Sequence, residues 1–230
     1  MGEINESNNT VINDAIFDFA YEIALNDLYW RGGDNQGLKD KVTKTDAIKN
    51  AINGFANSVV DGNANKESTL NTIQYISEKV SIAETNEQHL TFGNAQKLVN
   101  MTLKYLYMGY YRDKRENFRF CHVPMDSIML SLVLSKMPDG DKKNEVRKIT
   151  SWAKLSSSDE AKYQTFQEAI EELIQGTKYF PIDFDLLFWS DAKYAKAEFE
   201  ALPSGKKVGN LENYLNEHVD ISILENKEAH

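Results

Sequence analysis

"GNAQKLVNMTLK", residues 93–104, is the stretch that decides the fold class of this chain. Ala95, Leu98, Val99, Met101 and Leu103 place apolar side chains on almost every side of a 3.6-residue turn, the pattern of a helix buried in a core. Two lysines interrupt it. Lys97 and Lys104 are seven residues apart, so they project from nearly the same side of the helix, with Asn100 between them on one stripe. A long lysine stem can snorkel its charge to water, and Asn100 can be a satisfied core amide. The same residues can also be chemistry placed on a core helix.

Outward from this stretch the chain is a series of helical patterns separated by polar breaks. Thr10 or Asn13 is suited to cap "INDAIFDFAYEIALNDLYW", which would end at Gly32-Gly33, and Thr43 or Thr45 to cap "DAIKNAINGFANSVVDG", which stops at Gly62. "KESTLNTIQYISEKVSIAE" gives a third helix, and the quoted stretch, continued to Tyr111, a fourth. Pro124 opens a fifth that runs through "MDSIMLSLVLSKM" to Pro138, with Asp126 near its third position. "DKKNEVRKITSWAKL", "SDEAKYQTFQEAIEELIQGT" (with "SSSD" before it as a cap) and "IDFDLLFWSDAKYAKAEFEAL" complete the set. No run shows the strict alternation of a half-buried strand. The expectation is an all-α protein with one compact domain of about eight helices over residues 10–202. Residues 1–9 are expected to be a flexible N-terminus, and 203–230 a C-terminal segment that is loosely held.

Composition narrows the function. The 230 residues carry 26 Lys or Arg against 35 Asp or Glu, a formal net charge of −9, which gives no overall attraction to nucleic acid or to an anionic membrane. The charge is uneven. Residues 91–148 hold eleven Lys or Arg and six Asp or Glu, a net of +5, so the remaining 172 residues carry −14. A basic middle inside an acidic frame points to DNA as a partner of the first and a protein as a partner of the second. The single cysteine, Cys121, makes no internal disulfide, and no Cys/His spacing suits zinc or an iron–sulfur cluster. No cofactor is expected, since Gly32, Gly33 and Gly37 form no phosphate loop. "MGEINESNNT" lacks a leader pattern, and no apolar run approaches the roughly 18 residues needed to span a bilayer. A reducing cytoplasm is the expected location, with no membrane partner.

Other chemistry-bearing residues have plainer readings. His89, His122, His218 and His230 have no paired spacing. His122 beside Cys121 suggests a nucleophilic pair, but adjacent residues usually diverge, which favours a solvated or capping histidine. Asp183 and Asp185 fall in the first turn of a helix, where the dipole accounts for them. That leaves Lys97 and Asp126, an amine on a core helix and a carboxylate at the mouth of the next. A lysine desolvated by apolar neighbours is a nucleophile, and a carboxylate can steer its chemistry and shuttle protons.

"LTFGNAQKLVNMTLKYLYMGYY" followed by "FCHVPMDSIML" resembles the active-site region of the helix-hairpin-helix DNA glycosylases, most of all the archaeal 8-oxoguanine glycosylases. The resemblance covers residues 88–135. It implies that Lys97 is the Schiff-base lysine and Asp126 the catalytic aspartate. Lys104, Asn100 and His122 would lie behind them in support. "LTFGNA" would be the hairpin with Gly93 at its tight turn, although the usual Gly-apolar-Gly pattern is missing. Gly93, Asn94, Arg112, Lys114, Arg115 and Arg119 would then hold DNA phosphates, with Tyr110, Tyr111, Phe118 and Phe120 available for stacking or wedging. The implied activity is excision of a flipped, damaged or modified base, a glycosylase with lyase activity. A different class keeps the fold and drops the chemistry: a non-catalytic all-α protein-binding module, for host–phage conflict or regulation, that engages its partner through the acidic surface.

Overall fold

Thr91 marks where the quoted stretch becomes a helix. Its backbone is extended, and its hydroxyl accepts a hydrogen bond from the Asn94 amide at 3.1 Å, satisfying one of the amides that a helix start leaves open. In the computed structural model, which describes residues 5–29, 36–82, 88–203, 207 and 209–224, the chain forms two compact units, Met1–Cys121 and His122–His230. The described residues are predominantly helical, and the only strand-like pairing among them is an isolated bridge between Ser81 and His89. The all-α expectation holds.

The first unit contains α1 (Asn5–Tyr29), α2 (Gln36–Thr43), α3 (Asp46–Val60), α4 (Ser68–Lys79) and α5 (Phe92–Gly109). α5 is its centre, packed on α1, α3 and α4, and from Phe92 to Tyr107 nearly every side chain is buried. A helix that is apolar all round has no solvent face to keep, so its neighbours enclose it. Thr10 and Asn13 fall inside α1 and not at its start, because the helix begins earlier, at Asn5. The Gly32-Gly33 stop lies outside the described residues. α4 ends at Lys79 rather than running on to residue 84, because Ser81 pairs with His89.

After α5 a 3-10 segment, Arg112–Phe118, is pinned rather than loose. Phe118 is fully buried against the rings of Tyr107 and Tyr111, with centroids 5.2 and 6.5 Å away. The Asn117 side-chain amide and the Lys114 ammonium both donate to the Val60 carbonyl, at 2.8 and 3.3 Å, closing the C-terminal end of α3. Gly62 turns the chain there with φ +75°, and a Cβ on it would stand 3.3 Å from Asn117 Oδ1, so both conformation and space call for glycine.

The second unit contains α6 (Ser127–Lys136), α7 (Asp141–Arg147), α8 (Glu160–Ile174), α9 (Pro181–Ala201) and α10 (Leu211–His218). The ten α-helices among the described residues exceed the eight expected by α2 and by α10, which the last stretch of sequence carries. α10 packs on α6 and α9 and buries Leu215, with Val219 and Leu224 buried beyond it. Lys136, at the end of α6, donates to the Asn216 carbonyl (2.9 Å), the Asn216 side-chain oxygen (3.3 Å) and the Val219 carbonyl (2.7 Å), supplying donors to a helix end that lacks them. Lys136→Met leaves these acceptors to water and should cost about 1–2 kcal/mol. Thermal denaturation should show it as a drop of a few degrees, and an unchanged midpoint would refute the anchoring role.

Before α8 the expected cap at residues 156–159 is present in full. The Asp159 carboxylate accepts from the Ser156 amide (3.0 Å), the Ser156 hydroxyl (2.9 Å) and the Lys162 ammonium (2.6 Å). These donors, Lys162 foremost, hold its pKa down from 3.8 to about 2. A folded-state value below the unfolded one gives stability that is whole above about pH 3.8 and lost as pH falls through about 2. Asp159→Asn should therefore flatten the acid limb of a plot of urea midpoint against pH in that window. An unaltered acid limb would count against the cap.

Candidate functional site

On α5 the polar stripe is buried. Lys97 is 6% exposed and Lys104 9%, which with Lys143 makes them the buried lysines among the described residues. Gln96, Asn100 and Thr102 on the same helix are fully buried. Asn100 Nδ2 donates to Gln96 Oε1 at 3.2 Å, and the Thr102 hydroxyl returns its proton to the Leu98 carbonyl at 2.8 Å. Polar groups thus run the length of a helix that packing would otherwise fill with aliphatic side chains. Burying an ammonium costs several kcal/mol unless neighbouring groups offset it, so two on one helix are a costly arrangement for packing alone. Neither lysine stands free of interactions.

The hairpin expected ahead of this helix is different in form. Gly93 lies within the first turn of α5, buried and without positive φ, because Thr91 caps the helix two residues earlier. Asn94 gives its amide to that cap. No tight turn occurs at Gly93.

Asp126 belongs to the second unit, where it is the N-cap of α6, not a residue inside its first turn; Pro124 precedes the helix. Its Oδ1 accepts from the amides of Ile128 and Met129, both at 2.9 Å, and its Oδ2 accepts from the Trp189 indole nitrogen on α9 at 3.1 Å. Three donors fix the carboxylate in one rotamer. Trp189 is the partner that no sequence pattern singles out. A tryptophan on an amphipathic helix is ordinarily packing, and the 63 residues between it and Asp126 carry no pattern that links them.

His122 is half-buried, with Nδ1 2.9 Å from the Tyr163 hydroxyl, so it is neither solvated nor a helix cap. Gln167, one turn further along α8, donates to the Val123 carbonyl at 2.8 Å and accepts from its amide at 3.0 Å, so α8 holds both residues of the segment that leads to Asp126. Cys121 is buried and burial pushes its thiol well above the usual range, which leaves little thiolate for nucleophilic chemistry. Asp183 does what a helix start asks of it, accepting from the Phe180 amide at 2.9 Å, whereas Asp185, expected beside it in the first turn, lies past that turn and is 1% exposed, so the helix start accounts for Asp183 alone.

Of the residues expected to meet DNA, Arg112, Lys114 and Arg119 are exposed and Arg115 is half-buried. Tyr111 and Phe118, expected as stacking surfaces, are instead in the core of the first unit, where they anchor the 3-10 segment. Tyr110 is 53% exposed. Among the described residues no group of His, Cys, Asp and Glu is placed to hold a metal ion, and no helix is long and apolar enough to cross a membrane. No family model matches the chain, and no curated protein or solved structure matches it.

Proposed function

We propose that this protein is a base-excising enzyme of the DNA glycosylase/lyase type, in which the Lys97 amine attacks the sugar. The observation that carries the proposal is the burial of Lys97 and Lys104 on one face of α5, where a primary amine is held out of bulk water among apolar neighbours. Lys97 Nζ would bond to the C1′ carbon as the glycosidic bond breaks and the base leaves with its electron pair. Loss of an Nζ proton with breaking of the C1′–O4′ bond would then leave an imine between Lys97 and the opened sugar, and removal of a C2′ proton would expel the 3′ phosphate with its C–O bonding pair, cleaving the strand. Asp126 enters through the resemblance, as the group that stabilises positive charge on the sugar and moves protons. Its seat at a helix start is where the resemblance puts that aspartate.

The test is chemical: borohydride reduction in the presence of DNA with abasic or modified sites should leave a covalent adduct on Lys97. No adduct on any such duplex would overturn the proposal. One observation favours the second reading, a non-catalytic partner-binding module: both oxygens of Asp126 are engaged as they would be in a purely structural cap.

A further inference from the structure

The basic segment after α5 differs from an ordinary solvated charge run in being held rigidly. Phe118 is locked in the core, Asn117 and Lys114 grip the end of α3, and the Lys114 ammonium also lies over the Tyr111 ring, 5.8 Å from its centroid. Lys114 is therefore an anchor, turned toward its own unit. Arg112 and Arg119 remain exposed. The Arg119 guanidinium lies 4.6 Å from the centre of the Phe120 ring and spends one donor on the Glu116 carbonyl at 3.2 Å, leaving others for an anion. Asp113 and Glu116 offset part of the charge, yet residues 112–119 keep four cations against two carboxylates in a chain of net charge −9.

Just ahead of Arg112 in the chain are two exposed apolar side chains, Met108 at 49% and Tyr110 at 53%. The Tyr110 ring packs edge-on against that of Tyr111, 5.3 Å apart at 81°, which holds it in place while half its surface stays in water. An aromatic with half its surface in water, two residues from the exposed Arg112 and at the entry to a basic segment, is poorly explained by solubility and costs hydrophobic exposure. Duplex backbone would need only the cations. An unpaired base needs a π surface to stack on as well, and that combination is what single-stranded nucleic acid engages.

We propose that Met108, Tyr110, Arg112 and Arg119 form a contact surface for single-stranded or unstacked nucleic acid, with a base on the Tyr110 ring and phosphates on the two arginines. This names the form of nucleic acid for the activity proposed above and rests on that reading. The full chain is titrated against a labelled oligothymidylate of about twelve nucleotides, within the site sizes of single-strand binders, over a range of salt. Tyr110→Ala should weaken binding about tenfold at every salt concentration, as loss of one stacked base does. Arg112→Gln with Arg119→Gln should reduce the slope of log affinity against log salt by about 1.4, at about 0.7 per phosphate on a single strand. Both sites are exposed, so melting temperatures should match the parent and exclude misfolding as the cause.

Equal affinity of parent and Tyr110→Ala, tighter binding to a matched duplex, or equal binding of poly-glutamate would overturn the inference. Borohydride trapping on the same proteins separates it from the enzyme proposal. Loss of stacking-dependent binding with trapping intact removes only the surface, whereas persistent binding without any trapped species removes only the lyase.

Discussion

Lys97→Gln should abolish covalent trapping on abasic-site DNA while leaving the protein folded. An imine needs a primary amine: Lys97 Nζ adds to the C1′ aldehyde of the opened sugar, water leaves, and hydride from borohydride reduces the C=N bond to a stable secondary amine. A glutamine amide has its nitrogen pair delocalised and cannot begin this sequence, so the expected change is from a trapped band to none. Lys104→Gln should only weaken trapping, since it sits two turns along the same face and supplies no atom to the imine. Because Lys97 is buried and engaged by neighbours, truncating it carries a folding cost. Lys97→Met, which keeps the stem and drops the charge, supplies a second variant, and circular dichroism with a thermal melt shows which of the two retains the fold. A folded Lys97 variant that still traps would place the nucleophile elsewhere.

What the sequence disclosed about this site was local. A helix apolar all round with a lysine repeat of seven announces its own burial, and both Lys97 and Lys104 are buried as that pattern demands. The cap at Ser156–Asp159 and the Asp183 contact to Phe180 were legible for the same reason: each joins residues three apart in the chain. Tertiary partners were not. Tyr111 and Phe118 look like exposed loop aromatics from their charged neighbours, and only the packing on Tyr107 turns them inward. α10 was hidden because its eight residues have few apolar positions, and its place depends on Lys136 at the end of α6. Trp189 belongs to this class as well, a long-range donor with no local signature.

That donor makes Asp126 the most informative position for separating chemistry from structure. Asparagine is as good an N-cap as aspartate, so in Asp126→Asn the side-chain oxygen can keep the Ile128 and Met129 amides while its NH2 faces the Trp189 indole, donor against donor. The stability loss should be about 1–2 kcal/mol, the cost of one unmet hydrogen bond in a half-buried place. Asp126→Ala loses the cap too and should cost about 2–4 kcal/mol in all. If Asp126 carries a proton-transfer or charge-stabilising role, base release by the well-folded Asn variant should fall by ~10²–10⁴, far beyond what its small stability loss explains. Trp189→Phe closes the comparison, because it removes the same indole bond and leaves the carboxylate, so its stability loss should match that of Asp126→Asn while its base release stays within a few-fold of the parent. In the doubly substituted protein the two stability losses should fall short of additive, since each removes one hydrogen bond already gone in the other. Base release that is equal in the parent and in Asp126→Asn would make Asp126 a cap and nothing more, and would leave Lys97 to account for the chemistry without it.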